Sequence, residues 1–116
     1  MSSSVFQRSK GLTNKLLRKL SPGPERGGLI LKGGKLVEVQ NICSEPEEGF
    51  LPDAADLIPH LPNAVGTWHT HPGASANLSV EDAETFVSWP DWLHAIVGED
   101  GVRWYAVKNG AAINAP

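Results

Sequence analysis

The chain has little cysteine, little net charge and no long apolar run. Its 116 residues include a single cysteine, Cys43, so no internal disulfide can form. The formal net charge of −3 argues against broad electrostatic binding to nucleic acid. No apolar segment approaches the roughly 18 residues that a membrane span needs, and the N-terminus lacks the apolar block of a secretory signal. We therefore expect a protein of the cytoplasm, with neither nucleic acid nor a membrane as its partner.

What is present is an ordinary globular composition, with 41% hydrophobic and 20% charged residues. A chain of this length favours one compact domain with its own core. We expect the serine-rich residues 1–8 to be a flexible N-terminus and residues 9–116 to form the single domain. The sequence indicates nothing about oligomeric state.

Hydrophobic periodicity predicts alternating helices and strands, and hence an α/β or α+β fold. The first helix begins at Ser9, carries leucines at 12, 16, 17 and 20 on one side, and ends at Ser21-Pro22-Gly23-Pro24. The other predicted elements are two strands within 28–42 around a turn at 32–35, a loop over 43–52, a short helix over 53–59, a central strand over 64–70, a helix over 79–89 closed by Pro90, and strands over 92–98 and 102–110.

Two of the four histidines lie one residue apart, in Gly66-Thr67-Trp68-His69-Thr70-His71-Pro72. Side chains at positions i and i+2 of a strand point the same way, so His69 and His71 would converge if this segment is extended. Two converging imidazoles are a natural beginning for a zinc site. The alternative is a pair of surface histidines without a ligand.

Asp82 follows in Leu78-Ser79-Val80-Glu81-Asp82, a pattern with two interpretations. Ser-x-x-Asp resembles a capping box, in which Ser79 caps a helix and Asp82 reaches back, and this needs no metal. The same placement puts a carboxylate on the first turn of a helix facing the strand end. Two imidazoles and one carboxylate would leave a fourth position for water, the pattern of a catalytic zinc, which lowers the pKa of such a water to about 7.

Hydrolysis also requires a base for that water and a donor for the developing oxyanion. Glu25, at the start of the first predicted strand, is a candidate for the base, although alone it would be an unremarkable exposed glutamate. The Ser79 hydroxyl is a candidate donor to the oxyanion.

These residues together resemble the JAMM motif of the JAB/MPN metallopeptidases. The match consists of Glu25 with Gly28, then His69-Thr70-His71-Pro72, then Ser79 and Asp82, and the spacing from His69 to Asp82 is the same. The resemblance implies one Zn²⁺ per chain with His69, His71 and Asp82 as ligands, Glu25 as general base, and Ser79 as stabiliser of the tetrahedral intermediate. It also implies a mixed sheet flanked by helices, similar to the cytidine deaminases. The expected activity is hydrolysis of a peptide or isopeptide bond in a protein or peptide substrate.

Within that family the chain looks most like the JAB domain of bacteriophage tail-assembly proteins, on the stretches NICSEPEEGFLPDAADLI and SWPDWLHAIVGEDG. This implies a phage tail protein as substrate or partner, in the host cytoplasm or the virion tail; a ubiquitin-like protein is the other candidate substrate. We expect residues 43–58 and 73–78 to form the specificity pocket. A catalytically silent MPN-type scaffold and a structural metal site are the alternatives to an enzyme.

Several other residues are expected to have structural roles. His94 lies in an apolar strand and is typical of a buried histidine whose hydrogen bonds are satisfied. His60 is expected at a helix end or in a loop, and Cys43 to behave as a small apolar residue. The four tryptophans are expected in the core and on sheet faces.

Overall fold

The computed structural model describes residues 8–116. Within that range three α-helices and six strands alternate, and the strands form one mixed sheet in the order β2-β1-β3-β4-β5-β6. The elements are α1 (Lys10–Leu17), β1 (Gly27–Leu31), β2 (Leu36–Val39), α2 (Ala54–Leu57), β3 (Ala64–Thr70), α3 (Val80–Phe86), β4 (Leu93–Gly98), β5 (Gly101–Lys108) and β6 (Ala111–Asn114). The expected α+β class is confirmed.

Strand β3 occupies the middle of the sheet, as predicted. It pairs antiparallel with β1 and parallel with β4, whereas the remaining neighbours are antiparallel. Its small and apolar residues suit this position, because Gly66 lies so close to the Leu93 carbonyl of β4 that a side chain there would collide with it. The mixed pairing leaves the C-terminal end of β3 beside β4, where the next segment turns away from the sheet.

Helices cover both faces of the sheet. On one face, α1 packs Leu12 and Leu16 into a cluster with Ile30, Trp68, Ala95, Val97 and Trp104. On the other face, Phe86 of α3 packs with Ala76, Ile96 and Tyr105. Since consecutive residues of a strand face opposite sides, Trp68 points to the α1 side and His69 to the α3 side. This alternation places His69 beneath the start of α3.

The observed elements differ from the predicted ones most at the last strand, at the end of α3 and at Pro59. The last strand, β6, was missed: Asn109 and Gly110 adopt φ angles of 53° and 78°, as in a tight hairpin turn that returns the chain along β5. Helix α3 ends at Phe86 rather than Trp89, because the last turn tightens into Thr85–Ser88 and Phe86–Trp89 backbone bonds. Pro59 does not end the short helix region, which continues as a 3₁₀ helix, Ile58–Asn63, with that proline in its first turn.

The predicted flexible N-terminus falls almost wholly on residues 1–7, outside the described part of the chain. Arg8 donates a hydrogen bond to the Ala115 carbonyl oxygen at 2.9 Å and lies over the Trp104 ring. Among the helices of residues 8–116, none is both long and apolar enough to cross a bilayer.

Candidate metal centre

The two histidines of His69-Thr70-His71 converge at the end of β3. His69 is 6% exposed, and its Nε2 lies 3.2 Å from the Nε2 of His71. Although β3 ends at Thr70, the His71 backbone N–H donates to the Val97 carbonyl at 2.8 Å and so continues the pairing with β4. The backbone therefore stays extended through His71, and the i, i+2 geometry predicted from the sequence is present.

Asp82 joins this pair from the first turn of α3. Its Oδ1 lies 3.0 Å from His69 Nε2 and its Oδ2 lies 3.2 Å from His71 Nε2. Asp82 also takes part in a capping box, since its backbone N–H donates to Ser79 Oγ at 3.0 Å and its carboxylate accepts from the Ser79 N–H at 3.4 Å. The two interpretations of Ser-x-x-Asp are thus compatible, because the cap holds the carboxylate where the imidazoles meet.

Glu25 reaches the same place from a loop. It precedes β1 by two residues and so does not begin that strand, which corrects the sequence prediction. Its backbone is held by Pro46 of the 43–52 loop and by Asn41: its N–H donates to the Pro46 carbonyl at 2.7 Å, and its carbonyl accepts from Asn41 Nδ2 at 3.0 Å. It is 8% exposed rather than an exposed glutamate. One ligand atom each from Glu25, His69 and His71 lie within 4.8 Å of one another, so this group could hold a metal ion.

Two residues that position Glu25 escaped the sequence analysis. Thr70 is fully buried, its Oγ1 accepts from the Arg26 N–H at 2.9 Å, and its N–H donates to the Arg26 carbonyl at 2.8 Å. Asn41 donates to three loop carbonyls and accepts from two loop N–H groups, of Cys43 and Leu51. The only local signals were a threonine between the histidines and a single asparagine after β2, and neither identifies a partner more than a dozen residues away.

Glycines next to Glu25 allow close approach of the strands. A side chain at Gly28 would collide with the Val37 carbonyl of β2, and one at Gly27 would meet the Phe50 ring at 2.8 Å and the Trp68 carbonyl at 2.9 Å. In the Glu-x-x-Gly pattern, therefore, Glu25 is the candidate for a chemical role, whereas Gly28 is required for the close packing of β1 against β2.

A hydrogen bond on its far side sets the tautomer of His71. Its Nδ1 lies 2.9 Å from the carbonyl oxygen of Ser75, which can only accept, so Nδ1 carries the proton. In the neutral ring, Nε2 then has no proton, and its lone pair points at His69 and Asp82. This is the arrangement that metal-binding histidines adopt, with the second ring nitrogen donating to a carbonyl.

The electrostatics of the cluster couple its members. Burial raises the pKa of Glu25, and the nearby His69 and His71 rings only partly oppose this. Burial would also raise the pKa of Asp82, but hydrogen bonds from both histidines hold it far below its ordinary value. Burial lowers the pKa of His71, yet the bonds to Asp82 and Ser75 outweigh that effect and raise it. The cluster thus places an ionised Asp82 beside His71, whose pKa it raises.

A cleft of about 630 Å³ opens onto the cluster. Glu25, His71, Ser79 and Asp82 line it together with residues of the 43–50 loop and of the segment after His71. The expected pocket region, residues 43–58 and 73–78, therefore does border the site, through residues 43–50 and Ala74. Ser79 Oγ accepts the Asp82 N–H and lies on the wall of this cleft, beside the cluster.

Of the residues expected to be structural, only Cys43 lies at the cleft, among those that the structure describes. His94 is fully buried, receives the Thr67 hydroxyl at Nδ1 (2.8 Å) and donates from Nε2 to the Trp89 carbonyl (3.2 Å). Trp68 and Trp104 are in the core, whereas Trp89 and Trp92 are only half-buried. Cys43 is a free thiol on the cleft wall. His60 belongs to the 3₁₀ helix.

We expect stability to fall in acid because of His94. Burial lowers its pKa to about 4 from an ordinary 6.5, so the unfolded chain binds the proton more readily than the fold does. The neutral His94 ring contributes about 3 kcal/mol to the free energy of unfolding. This contribution is complete above pH 6.5 and is lost as the pH falls towards 4. Urea unfolding of the metal-free chain between pH 4.5 and 7 measures it. His94→Gln should have a smaller pH slope than the parent, and equal slopes would contradict the assignment.

Comparison with known proteins bears on the fold alone. A solution structure of a structural genomics protein from Desulfitobacterium hafniense matches with a TM-score of 0.72 and 16% sequence identity. The match covers 92% of this chain and 87% of that chain. No protein-family model matches the chain, and no curated protein matches it. The chain therefore shares its architecture with a solved protein whose description states no function.

Proposed function

We propose that this chain is a zinc-dependent metallopeptidase or isopeptidase of the JAMM type, with a JAB/MPN fold. The observation that carries the proposal is the meeting of two imidazole Nε2 atoms and the Asp82 carboxylate at 3.0–3.2 Å, with a buried glutamate beside them in one cleft. A ubiquitin-like protein and a phage tail protein, suggested by resemblance, are the candidate substrates.

The donor set fits zinc. Zinc–ligand distances of about 2.0–2.1 Å in a tetrahedron place neighbouring ligand atoms about 3.3 Å apart. The His69–His71 and histidine–Asp82 distances of 3.0–3.2 Å are close to that spacing. In the neutral ring, His71 Nε2 carries a lone pair directed at another imidazole and a carboxylate, and a cation would replace the proton that otherwise bonds this nitrogen to Asp82. The shorter distances favour Asp82 over Glu25 as the third ligand.

A zinc ion held there would supply Lewis acidity, which favours deprotonation of water and polarises a carbonyl group. Glu25 is suited to hold the proton, because burial raises its pKa towards the range in which a carboxylate can accept and return one. No side-chain hydrogen bond links its carboxylate to another residue of the described chain. Glu25 would take a proton from the attacking water and deliver it to the leaving nitrogen.

Ser79 is suited to the oxyanion. Its Oγ accepts the Asp82 N–H, which fixes the hydroxyl group on the cleft wall beside the metal centre. In the reaction, water oxygen bonds to the carbonyl carbon, the carbon–nitrogen bond breaks, and the nitrogen leaves as an amine with the proton from Glu25. A donor to the carbonyl oxygen is worth most while that oxygen carries charge.

Metal removal and restoration test the proposal. The chain should bind about one zinc, cleave peptides or isopeptides when loaded, lose turnover with a chelator, and regain it when zinc is added. Zinc content is measured by inductively coupled plasma mass spectrometry. Cleavage is measured by mass spectrometry of a substrate library. Full zinc loading without turnover on any substrate would instead favour the scaffold alternative.

A further inference from the structure

An apolar groove extends from the metal centre along the α3 face of the sheet. It has a volume of about 330 Å³ and lies over β1 and β3, between the segment that follows β2 and the end of α3. Leu29, Leu51, Leu57, Phe86, Trp89 and Trp92 line it. The groove has room for one large side chain and part of the backbone that carries it.

The groove and the cleft meet at the proposed reaction centre. His69 and Asp82 line the groove, and Asp82, Thr85 and Phe50 line both spaces. Along α3, the first turn borders the cleft and the last residues border the groove. A chain passing the metal centre would therefore contact the groove on one side and the cleft on the other.

Two stacked indoles give the groove a flat, ordered wall. The Trp89 and Trp92 rings are 4.4 Å apart and inclined by 5°. The Trp89 carbonyl accepts the buried His94 N–H, which anchors this wall to the core. Half-buried indoles held in this way offer apolar area at little cost in side-chain entropy. They favour an apolar occupant.

The cleft, in contrast, is acidic. Its lining includes four carboxylates outside the metal cluster, Glu45, Glu47, Glu48 and Glu81. No ion pair or side-chain hydrogen bond holds these four to any other residue of the described chain, and no described lysine or arginine lines the cleft. Glu25 and Asp82 would balance a divalent ion, so the four remaining charges are available to a cation. Glu25, a residue only 8% exposed, also lines this cleft, and no side-chain hydrogen bond joins its carboxylate to another residue of the described chain, which is a sign that the cleft holds a ligand.

We propose that the substrate is a polypeptide that places a bulky apolar side chain in the groove and a lysine or arginine side chain among the cleft carboxylates, on opposite sides of the bond that is cut. The inference rests on the proposed hydrolytic function and specifies its substrate. Charge complementarity selects the occupant of the cleft, and continuity with the metal centre places the same chain in the groove.

A randomised decapeptide library tests the specificity. We expect the zinc-loaded chain to prefer an apolar residue on one side and lysine or arginine on the other, each by about tenfold or more over alanine. Leu51→Gln, at a wall residue that is 53% exposed, should weaken only the apolar preference, whereas Ile42→Gln, at a residue 49% exposed outside the groove, should not. The double variant Glu47→Gln with Glu48→Gln should weaken only the basic preference, and Glu84→Gln, outside the cleft, should not.

Binding separates the two proposals. Peptides with both determinants should change the fluorescence of Trp89 and Trp92 in the zinc-loaded Glu25→Gln variant, which does not consume them. Binding with this preference but no cleavage by the parent chain would overturn the hydrolytic function and support the recognition site. Cleavage without preference, or preferences unaltered by the Leu51 and Glu47/Glu48 variants, would overturn the recognition site. If the peptides are neither bound nor cleaved, both proposals are overturned.

Discussion

Replacement of Glu25 by glutamine is expected to reduce hydrolysis by about 10²–10⁴-fold while the chain keeps its fold and its zinc. Glutamine has nearly the same shape but cannot accept and return a proton. The backbone contacts of residue 25, with the Pro46 carbonyl and with Asn41, do not involve the side chain and should persist. The loss should therefore fall on turnover and not on stability.

Three measurements decide this prediction. Zinc content and thermal unfolding should match the parent, and kcat should fall with little change in KM. Glu84→Gln removes the same charge from an exposed position of α3 outside the cleft and should leave turnover intact. Normal turnover in Glu25→Gln would assign the proton transfer to another group.

Replacement of His71 by alanine is expected to abolish stoichiometric zinc binding. Loss of a residue that merely orients a ligand typically weakens metal affinity by 10–100-fold, so loss of a direct ligand should cost more than about 100-fold. The variant also leaves Asp82 without one of its two histidine partners and the Ser75 carbonyl without its donor. Zinc content should fall from about one per chain to near zero, and turnover with it.

A matched histidine controls for nonspecific effects. His60 lies in the 3₁₀ helix Ile58–Asn63, half-buried and outside both the cleft and the groove, so His60→Ala should retain zinc and activity. Circular dichroism should show that His71→Ala is folded before its zinc content is interpreted. Unchanged zinc content in the folded variant would remove His71 from the site.

Many elements of the fold could be predicted from short stretches of sequence. The leucine spacing after Ser9 predicted α1, and the glycines at 33 and 34 predicted the turn between β1 and β2. The histidine pair in an apolar, small-residue run predicted both the central strand and the convergence of the two rings. The same kind of signal, Asn109-Gly110 before an alternating run, was present for β6 and went unused.

The sequence by itself determined the residue types of the candidate centre and the relative placement of His69 and His71, because strand alternation is a local property. It also determined the capping box that orients Asp82, which spans four residues. Only the tertiary structure decided that Glu25 is buried beside them, since that depends on contacts with Asn41, Pro46 and, through Arg26, Thr70. The apolar groove was beyond the sequence, and of the acidic cleft the sequence indicated only the segments that border it. Their walls come from segments far apart in the chain, and local propensity does not specify how such segments meet.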